Sequence, residues 1–360
     1  MSIRSWKFAG GSNRAYAGCT VGLRRPDANP RRWVLCFPLQ RFESPGVFPR
    51  FAPDSRIEER ATPSLGADDV LVKVKACGVC ASELHSWHGD GGPYPRTMGH
   101  EVAGEVVAVG AHVRAIRPGA AVTGLFQGGF AEYAVAKAAY ITPIPAGIGY
   151  DIVLGEPLSC ILSGARRMRV EPGDVVAIVG LGFMGLLMLQ AIRLRGPARI
   201  IAIDPRAEAL ALAQRFGADE VYTPEQTPER YRMTQWSQLG DGYGVDVVIE
   251  ASGMQAGLTL AGELVHEHGG LLIVGYHQGG PRQVDMQLWN WKALEVLNAH
   301  ERRADYQMDC MRRGLALLAA GKLDTATLVT HRFGLDQVDD AFRALLTKPA
   351  GFVKAVIMVS

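Results

Sequence analysis

The 360-residue sequence predicts a two-domain α/β protein in which a doubly wound parallel sheet is inserted into a β-rich domain, and three observations lead there. The chain is longer than a single hydrophobic core usually grows. Its first half reads as short strands separated by turn residues, whereas from about Glu171 short apolar runs alternate with helical stretches. From Leu328 the pattern returns to strand, helix, strand.

Taken in order, residues 1–30 are rich in Gly, Arg and Asn without a sustained period and read as a tail. In the β-rich part, DVLVKVKA puts Val70, Val72 and Val74 on one face, EVAGEVVAVG follows His100, and FAEYAVAKAAYITPIP closes the run. Then VVAIV (175–179) leads into FMGLLMLQAIRLR, and RIIAI (199–203) leads into RAEALALAQRF with Gly217 as its stop. VDVVIEAS (245–252), a helical GMQAGLTLAGELVHEHG, LLIVG (271–275) and ALEVLNAH (293–300) continue the alternation. Short buried strands joined by helices imply right-handed crossovers and a parallel sheet covered on both faces. The expected limits are 156–297 for the inserted domain, with 31–155 and 298–360 forming the outer one.

Composition narrows the function. Hydrophobic residues make up 48% and charged residues 21%, as in ordinary globular proteins. Lys plus Arg (38) nearly balances Asp plus Glu (36), and the basic residues are scattered, so the footprint needed for nucleic acid or an anionic membrane is missing and a small-molecule partner is expected. Six cysteines, at 19, 36, 77, 80, 160 and 310, are too sparse for a disulfide scaffold and indicate a reducing compartment. With neither a membrane-length apolar run nor a signal-peptide core, the expected location is the cytoplasm.

GLGFMG, Gly180 to Gly185, fits GxGxxG, and its setting matters more than the match. It follows a strand, opens a helix, and precedes Asp204 at the end of the next strand, the context of a Rossmann dinucleotide site. Gly180 permits the tight turn, Gly182 lets backbone approach a pyrophosphate, and Gly185 lets helix and strand pack closely, with Phe183 and Met184 between them. The helix N-terminus then offers unpaired N–H groups to the phosphates. Asp204 would accept from both ribose hydroxyls and repel a 2′-phosphate, favouring NAD; Arg206, just past the strand, is the residue that would favour NADP.

KACGVCASELHSWHGD (75–90) is compatible with a metal site, a redox pair or two packed thiols. MGHEVAGEVVAVG (98–110) and GEPLSC (155–160) add to it. Cys80, His100, Glu101 and Glu156 then supply a thiolate, an imidazole and carboxylates on three separate turns, the donor set of a catalytic zinc. Cys160, four residues after Glu156, is a rival for the third place.

These segments resemble the zinc-dependent medium-chain dehydrogenases, specifically the alcohol and polyol dehydrogenases of the sorbitol and threonine dehydrogenase branch, from about residue 31 to the C-terminus. GVCASELH is similar to the family's GxCxSDxH, which implies Cys80 as first ligand, Ser82 as proton-relay hydroxyl and His85 as outer relay histidine. Glu83 stands where the family has Asp, as the hydrogen-bond partner of the ligand histidine, and its extra methylene alters that contact's geometry. GHEVAGEVVAVG is similar to GHExxGxVxxVG, which implies His100 as second ligand and Glu101 as an alternative one. EPLS resembles the third-ligand segment of the polyol and sugar branch, which makes Glu156 the third ligand. VTGLFQGGFAEYAV lacks the four-cysteine lobe of many relatives, so one catalytic zinc and no structural zinc is expected.

The resemblance further implies a GroES-like catalytic domain, a homodimer or homotetramer, and hydride transfer between NAD and a secondary alcohol, a polyol, sugar or cyclitol. Zinc would act as Lewis acid, with a proton path through Ser82, the nicotinamide ribose and His85. Alternatives are a simple secondary-alcohol or amino-alcohol dehydrogenase, a zinc-free quinone or enoyl reductase, and a non-catalytic ligand-binding protein that keeps the fold. Trp87, His88, Asp90 and Tyr94 lie on a loop that edges the substrate cleft in the family; they read equally as hydroxyl-binding groups or an exposed turn. WNWK (289–292) reads as core or subunit interface beside a strand, and His300, Arg302 and Arg303 as cofactor contacts or a solvated helix start.

Overall fold

The computed structural model describes residues 32–36, 55–87 and 98–360. The tail at 1–30 and the loop residues His88, Asp90 and Tyr94 lie outside the described residues. Strands β1 (Arg32–Cys36) and β2 (Arg56–Arg60) pair antiparallel. The alternating apolar run becomes β3 (Asp69–Gly78), whose Val70, Val72 and Val74 are fully buried. A single 3-10 turn and the short helix α1 (Leu84–Trp87) follow it. Strands β4 (Glu101–Val109), β5 (Ala121–Gly124), β6 (Tyr133–Lys137) and β7 (Ile141–Pro143) pair antiparallel around β3.

Helix α2 (Gly155–Arg167) leads into the second sheet. There β8 (Val175–Val179), α3 (Phe183–Arg193), β9 (Arg199–Ile203), α4 (Ala207–Arg215), β10 (Glu220–Tyr222), β11 (Val245–Glu250), α5 (Gln255–Leu264), β12 (Val265–Ile273), α6 (Met286–Trp291) and β13 (Glu295–Asn298) follow in turn. The six strands are parallel in the order β10-β9-β8-β11-β12-β13, so the chain starts in the middle and winds out both ways. Helix α7 (Ala304–Ala319) returns over α2. Strand β14 (Val329–Gly334), helix α8 (Val338–Thr347) and β15 (Lys354–Met358) complete the first sheet, with β15 antiparallel to β3.

Two expectations are corrected. VHEHG does not continue the helix: α5 ends at Leu264 and β12 begins at Val265. The physical reason is Lys292, fully buried, whose ammonium donates to the Gly262, Glu263 and Val265 carbonyls at 2.9, 2.9 and 2.7 Å and so satisfies the helix end. Burial pulls this lysine down to about 8. GEPLSC is the first turn of α2, not a free turn, because Pro157 at its start needs no N–H partner there and the following apolar positions face the core. WNWK lies on α6 and the turn after it, just before β13.

The β-rich half has its own core between the first sheet and α8, and Trp87 belongs to it. Trp87 is 1% exposed, stacks on Phe342 at 5.2 Å and donates its indole N–H to Asp339 at 2.8 Å. It anchors α1 and so fixes the turn that carries Cys80 and Ser82.

Candidate active site

The dinucleotide cradle follows from sterics. Gly180 has φ +95, and a Cβ there would lie 2.6 Å from the Ser252 nitrogen; at Gly185 a Cβ would lie 1.9 Å from the Gly180 carbonyl oxygen. Both positions therefore exclude any side chain. A Cβ on Gly182 would meet nothing within 4 Å, so this face is open at the N-terminus of α3, which has no side-chain cap. A pyrophosphate fits that open face, where helix N–H groups are unpaired. Phe183 is buried and Met184 half-buried behind it.

Asp204 directly follows β9 and is 4% exposed. Its Oδ2 accepts from the Leu181 N–H at 2.8 Å, and Arg206 forks onto it, with Nε 2.9 Å from Oδ1 and Nη2 3.1 Å from Oδ2. This buried acid thus already carries its own counter-charge.

At the end of β3, Cys80 caps the 3-10 turn Ala81–Glu83, and the Ser82 hydroxyl donates to its Sγ at 3.2 Å. One donor atom each from Cys80, His100 and Glu101 lie within 4.8 Å of one another, the one such group among the described residues. Glu83 is 7% exposed; its Oε1 accepts from the Gly99 N–H at 2.7 Å and lies 3.3 Å from His100 Nδ1. The longer acid thus reaches the histidine while tied to the backbone next to it. Burial opposes a charge on His100, yet the Cys80 and Glu83 contacts push it up to about 12. His85 is exposed on α1.

Glu156 lies outside the tight trio. Its Oε1 accepts from Cys160 Sγ at 3.2 Å, one helical turn on, and burial raises its carboxyl although the His100 charge lowers it and that of Glu101 raises it. It therefore faces the same site from α2. Burial also pushes the Cys160 and Cys77 thiols well up, which disfavours a redox role for the fully buried Cys77.

Sequence reasoning missed Lys354. It is 4% exposed on β15, donates to Glu101 Oε1 at 2.7 Å and to the Val79 carbonyl at 2.9 Å, and lies 4.8 Å from the Phe183 ring centre. The lysine thereby joins the candidate metal site to the glycine-rich loop. No local signal marks it, since its partners lie far away in the chain. Around one thiol and one imidazole stand two buried acids, Glu83 and Glu101, and the half-buried Glu156, with Lys354 paired to Glu101; this thiol, imidazole and carboxylate set suits zinc, and its excess negative charge fits a dication.

Comparisons with known proteins agree with this layout. Residues 66–146 match the family model for the alcohol dehydrogenase GroES-like domain, and residues 184–313 that for zinc-binding dehydrogenase. The sorbitol dehydrogenase of Bacillus subtilis (strain 168) is 28% identical over 81% of this chain and 90% of its own length. A protein of Arthroderma otae named "Probable D-xylulose reductase A" is 30% identical, covering 80% of this chain and 90% of that protein. A zinc-binding dehydrogenase structure from Sinorhizobium meliloti 1021, bound to NADP, superposes with a TM-score of 0.75 at 28% identity, covering 91% of this chain and 99% of that one.

Proposed function

The chain belongs to the zinc-dependent medium-chain dehydrogenase family, and from that premise we propose that it transfers hydride between a nicotinamide dinucleotide and a secondary alcohol of the polyol, sugar or cyclitol class. The family places it among zinc- and nicotinamide-using oxidoreductases. The observation that carries the reading is the convergence of Cys80, His100 and Glu101 within 4.8 Å beside the glycine-rich loop.

In this reading Cys80 and His100 hold the zinc, with Glu156 as third ligand and Glu101 as its alternate. When bound there, zinc would supply Lewis acidity and the nicotinamide a hydride acceptor. Glu83 orients the His100 ring through Nδ1, leaving Nε2 for the metal. Ser82, whose hydroxyl already lies 3.2 Å from Cys80 Sγ, takes the proton of the substrate hydroxyl, and the exposed His85 passes it to solvent. The retained pair of Ser82 and His85 favours turnover over mere binding.

Of the dinucleotides, the acid Asp204 supports NAD. NADP is the second reading, favoured by the Arg206 fork that neutralises this acid. We assign one zinc per chain, a domain division at 156–297 within 31–155 and 298–360, and a cytoplasmic location. Among the described residues no helix is long and apolar enough to cross a membrane. A homodimer or homotetramer is supported by β13 standing at an edge of the second sheet among the described residues and by the exposed Trp236, Met254 and Met286 on the turns and helices of the same part of the chain.

Metal analysis and a substrate panel test the reading. About one zinc per wild-type chain, none in a Cys80→Ser, His100→Ala variant, and NADH formation with polyols are expected. Zinc retained in the variant would refute the ligand assignment; turnover only of simple or amino alcohols would refute the substrate class.

A further inference from the structure

The turn after β12 carries a polar row that the reaction described above leaves unused. Glu250, fully buried at the end of β11, has both oxygens engaged. Its Oε1 accepts from the Ser252 N–H at 2.7 Å, the Ser252 hydroxyl at 2.5 Å and the Gly253 N–H at 2.9 Å, and its Oε2 lies 2.8 Å from His277 Nε2. His277 Nδ1 accepts from Arg282 Nε at 3.2 Å, so the ring proton sits on Nε2 and points to Glu250. Arg282 then closes the turn on the Gln278 and Gly280 carbonyls at 2.7 and 3.1 Å. A carboxylate and a guanidinium linked through one imidazole fix the backbone of residues 276–282 above the carboxyl ends of the strands. This is the edge along which the dinucleotide of such a sheet lies, and Ser252 abuts Gly180 there.

The side chain this turn presents is Gln278. Its Nε2 donates to the Ala81 carbonyl at 2.7 Å, across 197 positions of sequence, and Ala81 stands between Cys80 and Ser82. Its Oε1 is buried with no hydrogen-bond partner among the described residues. A buried amide oxygen without a donor calls for one, and this one stands where the turn after β12 meets the turn that carries Cys80 and Ser82.

We propose that Gln278 is a positioning residue. Its Nε2 holds the Cys80–Ser82 turn at a set distance from the second sheet, and its Oε1 accepts from an N–H or O–H of the bound nicotinamide nucleotide, so that cofactor binding and the placement of the metal turn are coupled. This rests on the nicotinamide reading. The Glu250–His277–Arg282 row gives the glutamine its rigidity, and Gln278 itself is half-buried.

The test uses the zinc-loaded full chain, with NADH as probe, and reads hydrogen exchange by mass spectrometry alongside NADH affinity by fluorescence. In the wild type, NADH slows exchange in residues 79–87 and in residues 180–193. In Gln278→Ala, residues 79–87 exchange faster and lose their response to NADH, residues 180–193 keep theirs, and NADH affinity falls about tenfold, the scale of one neutral hydrogen bond. Gln278→Glu keeps the length and the acceptor but cannot donate to Ala81, so it loosens 79–87 with a smaller loss of affinity. Unchanged exchange in 79–87, or unchanged NADH affinity, in Gln278→Ala would overturn the proposal. Failure of the nicotinamide reading looks different: NADH would then leave residues 180–193 unaffected in the wild type.

Discussion

Replacing Lys354 by methionine probes the buried link between the two candidate sites. Lys354 is 4% and Glu101 2% exposed, so water cannot take the place of the lost ammonium. Methionine fills the volume of the lysine stem and preserves its apolar packing. What is lost is the pairing with Glu101, at 2.6 Å, and the hydrogen bond to the Val79 carbonyl, at 2.9 Å. Removing one partner of a buried ion pair costs about 3–5 kcal/mol, and the orphaned carbonyl falls within the upper part of that range rather than adding to it in full. We expect a loss of about 4 kcal/mol in metal-free protein, roughly a thousandfold in the folding equilibrium. Urea unfolding reads this as a lower midpoint at unchanged slope. Two controls sharpen it: a bound dication beside Glu101 should shrink the loss, and adding Glu101→Gln should restore at least half of it in the metal-free form. A metal-free Lys354→Met protein within about 1 kcal/mol of wild type, or a double variant no better than the single one, would refute the claim that Lys354 neutralises Glu101.

Other changes separate steric from chemical roles. Gly185→Ala sets a Cβ 1.9 Å from the Gly180 oxygen and should unfold or strongly destabilise the second sheet in thermal melts, whereas Gly182→Ala meets nothing within 4 Å and should melt like wild type while losing dinucleotide affinity in a fluorescence titration. Arg206→Ala frees the Asp204 carboxylate, so the ratio of kcat/KM with NAD to that with NADP should rise by tenfold or more; a fall in this ratio would overturn the part given to Arg206. Glu301 is held well below its ordinary 4.5, chiefly by the Arg303 side chain and then by the Arg303 N–H. A lowered carboxyl stabilises the fold above its unfolded value and loses that contribution as the pH drops toward the folded value. The melting-temperature advantage of wild type over Glu301→Gln should therefore be constant above about pH 5.5 and shrink steadily below 4.5; an advantage that grows on acidification would contradict the assignment.

Much of the architecture is legible locally. The strand–GLGFMG–helix context works because positive φ and missing Cβ atoms at Gly180 and Gly185 are demands of backbone sterics, which only glycine meets. The apolar runs that became β8, β9, β11 and β12 are buried on both faces, so their composition announces a parallel sheet. Where local reading failed, a distant partner intervened. VHEHG has helical spacing, but Lys292, 27 positions beyond Val265, takes up the carbonyls that would have continued the helix. Trp87 read equally as a hydroxyl-binding group or part of an exposed turn, but it is buried, and Asp339, 252 positions away, claims its N–H.

By itself the sequence determined the two-part α/β plan, the dinucleotide turn and the candidate ligands Cys80 and His100, because each is written in residues a few positions apart whose geometry the backbone dictates. Only the tertiary structure decided that Glu101 joins those two while Glu156 faces them from α2, that Lys354 meets Glu101 across 253 positions, and that Gln278 meets Ala81 across 197. The first pair is fixed by β15 and β4 flanking β3 in one sheet and the second by contact between the two sheets, and chain spacing carries no record of which buried charge will find which partner.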